Sequence, residues 1–372
     1  MNGALLRHTW RLQRTKLAFV SLALTVWGFL PPVIYARFGN QPWMIAMFNG
    51  LKPAVIALVV LSLYRIAGRA LHGVVLWLTA GVAFTSMFFF NIPIPWIMLG
   101  AIALGVALSS LWPELLLRSN EAQQSKEPQP NVLHHNATRQ KRESVLKPLI
   151  TLTSISLLLW LMPLPLLYFI GDDFHFWKGL ALFFTKTAFV TIGGSYTVIP
   201  YVAQVTVSKL HWLSKLQMAD GFALAETTPG PLIIVVAFVG FMAAYNHFHG
   251  SLWMGTLGLL ATTFYTFLPC FLFVFAGAPL VERTENKPVI KGVLVLISAV
   301  VVGAILDLTL FLGKAVLFPS GIANAKSLDA ISATGVVLSL VLLKQGKMNV
   351  AYLILLSILF GLVRHELELH LG

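Results

Sequence analysis

Along the chain, long apolar runs alternate with short polar or basic breaks. A helix that crosses a membrane needs about 20 mostly apolar residues. Runs of that kind stand at roughly 17–36, 44–64, 73–90, 94–112, 148–170, 179–201, 221–245, 251–276, 289–311, 328–344 and 350–364. The pattern predicts an all-α polytopic membrane protein with about 11 transmembrane helices. Residues 113–147 break it with Ser, Asn, Gln, Pro, six basic and four acidic residues. Such a composition cannot bury a core, so this segment reads as a solvated linker. The expected organisation is a first repeat over 1–112, the linker over 113–147, and a second repeat over 148–372.

Two stretches echo each other. "GFLPPVIYARFG" at 28–39 resembles "TFLPCFLFVFAG" at 266–277, with Pro31 opposite Pro269. Farther on, Gly50 falls opposite Gly292, and "AGV" at 80–82 opposite "TGV" at 334–336. Spans one to four therefore read as copies of spans eight to eleven. Spans five to seven have no counterpart ahead of span one, where there is room for only 16 residues. The first repeat is thus expected to be incomplete at its start.

Composition fits the span count. Of the residues 57% are hydrophobic and 11% charged, whereas a soluble domain carries about 25% charged residues. The formal charge is +12. At this low charge density the excess reports orientation rather than nucleic acid. With the N-terminus in the cytoplasm, 19 of the 26 Lys and Arg residues fall on the cytoplasmic side, 5 outside, and Lys52 and Lys186 within spans. The basic start (Arg7, Arg11, Arg14, Lys16) runs into apolar residues and then Pro31 and Pro32 without a clear cleavage motif. It is expected to be a first spanning helix. In this orientation the first FLP span runs outward and the second inward, the inverted arrangement of many secondary transporters.

The chemistry-bearing residues sit in spans six and seven. "AETTPGP" at 225–231 places Pro229 and Pro231 on either side of Gly230. Two prolines so close remove backbone donors and should break a membrane helix. A break exposes N–H groups at a helix N-terminus, a setting suited to an anion. In span six, Gly193 and Gly194 permit close approach of a backbone or ligand. At 1.5 Å per residue, Pro229 lies about 12 Å from the cytoplasmic side and Gly193 about 21 Å from the outer side. Both depths fall in the inner half of the layer, where the two breaks can face each other.

Ser195, Tyr196, Thr227 and Thr228 offer hydroxyl donors for an oxyanion, or for carbonyls freed by the break. Lys52 and Lys186 are expected either to balance the anion or to serve structural ends, Lys186 by reaching the interface. Glu226 is a candidate for a coupling proton, or simply the partner of a basic residue. Asp307 is a further intramembrane acid with both readings open. Cys270 reads as a small packing residue. His247 and His249 share one short loop without a third ligand, so no metal and no cofactor are expected. No cluster of His, Asp or Glu supports an enzyme.

At these positions the chain resembles the chromate ion transporter family. "TIGGSYTVIPYV" at 191–202 is similar to the family's Gly-Gly segment, and "HWLS" at 211–214 to the Trp-Leu element that follows it. "AETTPGPLIIVVAFVGF" at 225–241 matches the Pro-Gly-Pro signature, and "TFLPCFLFVFAGAPLVER" at 266–283 a later segment. "GLKPAVIAL" at 50–58 resembles the first half. Ile192 departs from the aromatic residue that often precedes the Gly pair, and the first half's own Gly-Gly and Pro-Gly-Pro elements are missing. The resemblance implies two oppositely oriented halves. It also implies export of chromate from the cytoplasm across the cell inner membrane, coupled to a proton or an exchanged anion. A carrier of sulfate or another oxyanion is the alternative substrate reading. A truncated, non-transporting membrane scaffold is the alternative of another class. Expected partners are the anion, the lipid bilayer and, in one reading, further copies of the chain, with no nucleic acid.

Overall fold

The computed structural model describes residues 30–111, 146–170, 172–190, 195–227, 234–284, 288–318, 329–346 and 348–371. Every regular element among them is helical. After a helical stretch at 30–38 come α1 (Pro42–Ala70), α2 (Val74–Phe88) and α3 (Ile94–Leu111). Then follow α4 (Leu146–Leu161), α5 (Pro163–Ile170), α6 (Phe174–Val190) and α7 (Ser195–Ser208). The chain continues through α8 (Lys215–Thr227), α9 (Ile234–His247), α10 (Leu252–Thr284), α11 (Pro288–Leu317), α12 (Ala330–Lys344) and α13 (Val350–Leu371).

Six segments are long and apolar enough to cross a membrane: Pro42–Ala70, Ile94–Leu111, Ile150–Ile170, Leu252–Phe275, Val289–Leu317 and Val350–His370. Four helices are apolar but shorter: Val74–Phe88, Val198–Ser208, Ile234–His247 and Ala330–Lys344. Of the most apolar window in Ile150–Ile170 only 6% is buried against protein. A surface so apolar and so bare belongs against lipid. The chain is a polytopic all-α membrane protein.

The helices differ from the expected spans in instructive ways. The single span at 148–170 is two helices, parted at Met162 just ahead of Pro163. Proline fits the first turn of a helix but not its interior. Of the span expected at 179–201, the described residues lie in α6, up to Val190, and in α7, from Ser195. Of 221–245 they lie in α8, which begins earlier, at Lys215, and is described to Thr227, and in α9, described from Ile234. Helices α10 and α11 run well beyond the apolar runs that predicted them, to 33 and 30 residues. Hydropathy marks the membrane layer, and a helix is free to continue past it.

The chain forms two compact units. The first comprises residues 1–55, 206–260 and 315–372, the second 56–205 and 261–314. In the first, α1 and α13 cross where a Cβ on Gly50 would overlap the backbone of Ser357 and Gly361. Small residues at such a crossing let two backbones approach. Beside it, Gly335 of α12 meets the Pro53 ring. Helices α9 and α10 touch through Gly240 and Gly258. In the second unit, α3 lies on α11 with Gly105 against the Val293 backbone, and α2 lies on it with Ala80 and Phe84 against Gly303. A core of Leu71, Leu76, Ala80, Leu296 and Ala299 fills that contact. Trp160 of α4 donates to Thr185 Oγ1 at 2.8 Å, and its carbonyl accepts from the Tyr265 hydroxyl at 3.2 Å.

The start of α8 is closed by a reciprocal cap. Gln217 N donates to Ser214 Oγ at 3.0 Å, and Ser214 N donates to Gln217 Oε1 at 2.9 Å. The sequence Ser-Lys-Leu-Gln is the S-x-x-Q form of a capping box. Asn246 ties the same corner to α9, its Nδ2 donating to the Trp212 carbonyl at 2.8 Å. Ser214→Ala should therefore lower stability by about 1 kcal/mol, read as a fall in the thermal midpoint of the detergent-purified protein. Ser214→Asp should keep most of the midpoint.

Candidate functional site

The helix that this cap anchors carries the acids. Asp220 sits in the middle of α8 and is buried. Lys52 of α1 is buried too, and its Nζ lies 2.9 Å from Asp220 Oδ1. On the other carboxylate oxygen the Tyr35 hydroxyl donates a hydrogen bond of 2.7 Å. Tyr35 comes from the helical stretch 30–38, where its ring packs edge-on against Phe48 and Phe238. Phe238 in turn covers Gly221, beside Asp220, where any Cβ would overlap the ring. Three segments far apart in sequence thus bring one cation, one anion and one hydroxyl together inside the first unit. A buried charge is tolerated when it is paired and its remaining oxygen is hydrogen-bonded, as here.

Glu226 lies on the same helix, six residues farther on. It is partly buried, and its Oε1 has no hydrogen-bond partner among the described residues. Six residues turn a helix through about 240° and advance it about 9 Å, so Asp220 and Glu226 leave α8 in different directions. Thr227 ends the helix with its Oγ1 donating back to the Leu224 carbonyl at 2.7 Å. That hydroxyl hydrogen is occupied, while the oxygen remains free to accept.

The other predicted positions divide as follows. Gly193, Gly194, Thr228, Pro229, Gly230 and Pro231 lie outside the described residues. Both expected breaks therefore fall between helices whose described ends are Val190 and Ser195 in one case and Thr227 and Ile234 in the other. Ser195 and Tyr196 open α7, with their side chains undescribed. Lys186 is exposed on α6, in the second unit. Asp307 is half-buried on α11, two turns before Lys314, whose Nζ lies 4.0 Å from the centre of the Phe88 ring. Cys270 is exposed, its Sγ donating to the Thr266 carbonyl. A groove of about 1310 Å³ between α1, α12 and α13 has mostly apolar walls and contains none of these residues.

Sequence reasoning missed Asp220 and Tyr35. The apolar run begins at residue 221, which puts Asp220 just outside it. The signal was the cap: "SKLQ" starts the helix at 215 and so places Asp220 inside it.

Long apolar helices, with one buried ion pair among them, place the chain in the class of polytopic membrane proteins. The family is shown by the match of the chromate transporter family model to residues 9–106 and 178–362, and the chain belongs to that family. It is 27% identical over 284 residues to a chromate transport protein of Cupriavidus metallidurans, covering 75% of this chain and 59% of the relative. A probable chromate transport protein of Synechococcus elongatus is 26% identical over 301 residues, with coverages of 80% and 66%. A chromate transport protein of Pseudomonas aeruginosa is 30% identical over 268 residues, with coverages of 70% and 53%. The chain thus spans between about half and two thirds of the length of these relatives. No solved structure gives a significant match.

Proposed function

We propose that the protein is a secondary transporter that exports chromate, a tetrahedral dianion, across the inner membrane. The observation that carries this reading is the family match, and the sequence supports it with two helix-breaking motifs, Gly193–Gly194 and Pro229–Gly230–Pro231. A helix starting beyond such a motif would supply unsatisfied N–H donors and the positive end of a dipole. Such ends at membrane depth are where transporters hold anionic groups. Ser195, Tyr196, Thr227 and Thr228 would add oxyanion contacts, Lys52 and Lys186 the balancing charge, and Glu226 an acid beside the second break. The excess of Lys and Arg on one set of loops supports a cytoplasmic N-terminus.

Internal packing supports two repeats. The offset that takes Gly105 to Gly361 is 256, and the one that takes Gly50 to Gly292 is 242. Gly50 packs on Gly361, and Val293, next to Gly292, packs on Gly105. Matching positions of the two copies thus make matching contacts. The helix pairs also agree in length: 29 and 30 residues for α1 and α11, 15 and 15 for α2 and α12.

Inverted vesicles test the function. Those containing the full chain should accumulate chromate, and Pro229→Ala with Pro231→Ala should reduce the rate about tenfold, within the range of a helix-end anion contact. No accumulation above empty vesicles rejects the transport reading. Equal accumulation by both proteins rejects the site. A sulfate competition arm measures selectivity between two anions of equal shape and charge.

A further inference from the structure

We propose that Asp220 carries a proton together with the anion, and that Lys52 exchanges it for the anion. This deepens the transport reading and rests on it. Lys52 and Asp220 neutralise each other, with both side chains only 10% exposed. The Lys52 ammonium has three donors, and Asp220 is its partner among the described residues. An incoming dianion that takes Lys52 leaves Asp220 as a bare carboxylate in a low-dielectric interior. A carboxylate there takes up a proton. No covalent bond changes apart from this O–H bond on Asp220; the proton comes from the aqueous phase.

By linkage, the anion raises the proton affinity of Asp220 as much as the proton raises the anion affinity of the site. The loaded site holds the dianion, charged Lys52 and neutral Asp220, and so carries one net negative charge. An inside-negative potential drives that charge outward. The empty site returns as a neutral ion pair.

Among the described residues, Lys52 reaches Asp220 from α1 and Tyr35 from the 30–38 stretch, and α9 lays Phe238, which does not titrate, over the neighbouring Gly221. Glu226, on the same helix, leaves it in another direction. Tyr35 donates to the second carboxylate oxygen and holds the carboxylate in place.

The test uses the purified full chain, with chromate as the probe and chromate-dependent thermal stabilisation read from pH 5 to 8. Chromate itself takes up a proton in this range. Asp220→Asn sees the same chromate, so the difference between the proteins isolates the protein's own proton. The wild type should show apparent affinity rising by up to about tenfold more per pH unit of acidification than Asp220→Asn, as one linked proton requires. At each pH Asp220→Asn should bind at least as tightly as the wild type, and the two should converge at the acid limit.

In proteoliposomes a chromate gradient should move protons in the wild type and not in Asp220→Asn. Identical pH slopes in wild type and Asp220→Asn overturn the proposal, as does a folded Asp220→Asn that binds no chromate at any pH. A slope lost only in Glu226→Gln assigns the proton to Glu226 instead, and also overturns it. Wild type that neither binds nor moves chromate at any pH rejects the transport reading itself.

Discussion

Lys52→Met alone should cost the fold about 3–5 kcal/mol, and adding Asp220→Leu should restore most of that. The asymmetry follows from the burial of the pair. With Lys52 gone, Asp220 keeps, among the described residues, the Tyr35 hydrogen bond at 2.7 Å for a charge that is 10% exposed. It must either stay ionised without a counter-charge or take up a proton, and both states lie above the native one. With both charges removed and similar volume retained, neither desolvation cost remains. The Tyr35 hydroxyl then lacks its acceptor, so Tyr35→Phe added as a third change should recover a further ~1 kcal/mol. Thermal unfolding of the four proteins in one detergent measures the order: wild type above, triple and double variants close behind, single variant far below. A single variant as stable as the wild type would mean that the ion pair contributes nothing to this unit. Stability and transport are expected to separate here. The triple variant should fold, yet lack the cation and the acid that the transport cycle needs.

The helical, membrane-spanning character was legible in the sequence because it follows from run length, which apolar composition alone determines. The helix ends were less so. A twenty-residue window cannot tell that 148–170 parts ahead of Pro163, or that α10 continues through Glu282 and Arg283. Lys52 was found because a charge inside an apolar run stands out. Its partner was not, for three reasons in the chain itself. Asp220 lies 168 positions away, it sits at the polar margin of its run, and only the Ser214–Gln217 cap puts it inside a helix. Tyr35 was hidden differently. It occupies the FLP repeat, where its counterpart at the same 238-residue offset is Phe273. Repeat comparison reads the two as equivalent rings, although only Tyr35 carries a hydroxyl.

Gly361→Leu is expected to be among the most damaging substitutions in the first unit, at about 3 kcal/mol or more. A Cβ at Gly361 would meet the Ala46 carbonyl and the Gly50 nitrogen, and one at Gly50 would meet the Ser357 carbonyl and the Gly361 Cα. All of these obstacles are backbone, so no rotamer change relieves them, and α1 and α13 must move apart. The Pro53–Gly335 contact lies one turn away on α1, so the separation should open it as well. The control is Gly100→Leu on α3, where nothing lies within 4 Å of a new Cβ. It should leave stability unchanged or slightly raised, because leucine favours helix over glycine. The decisive comparison is Gly105→Leu, in the other unit, where the obstacle is the Val293 backbone. If the copies are true repeats, Gly105 and Gly361 are one position in two settings, and both substitutions should lower the thermal midpoint by similar amounts. A harmless Gly105→Leu beside a damaging Gly361→Leu would show that the two crossings are unrelated packings. The repeat would then rest on sequence alone, and the case for two oppositely oriented halves would lose its structural support.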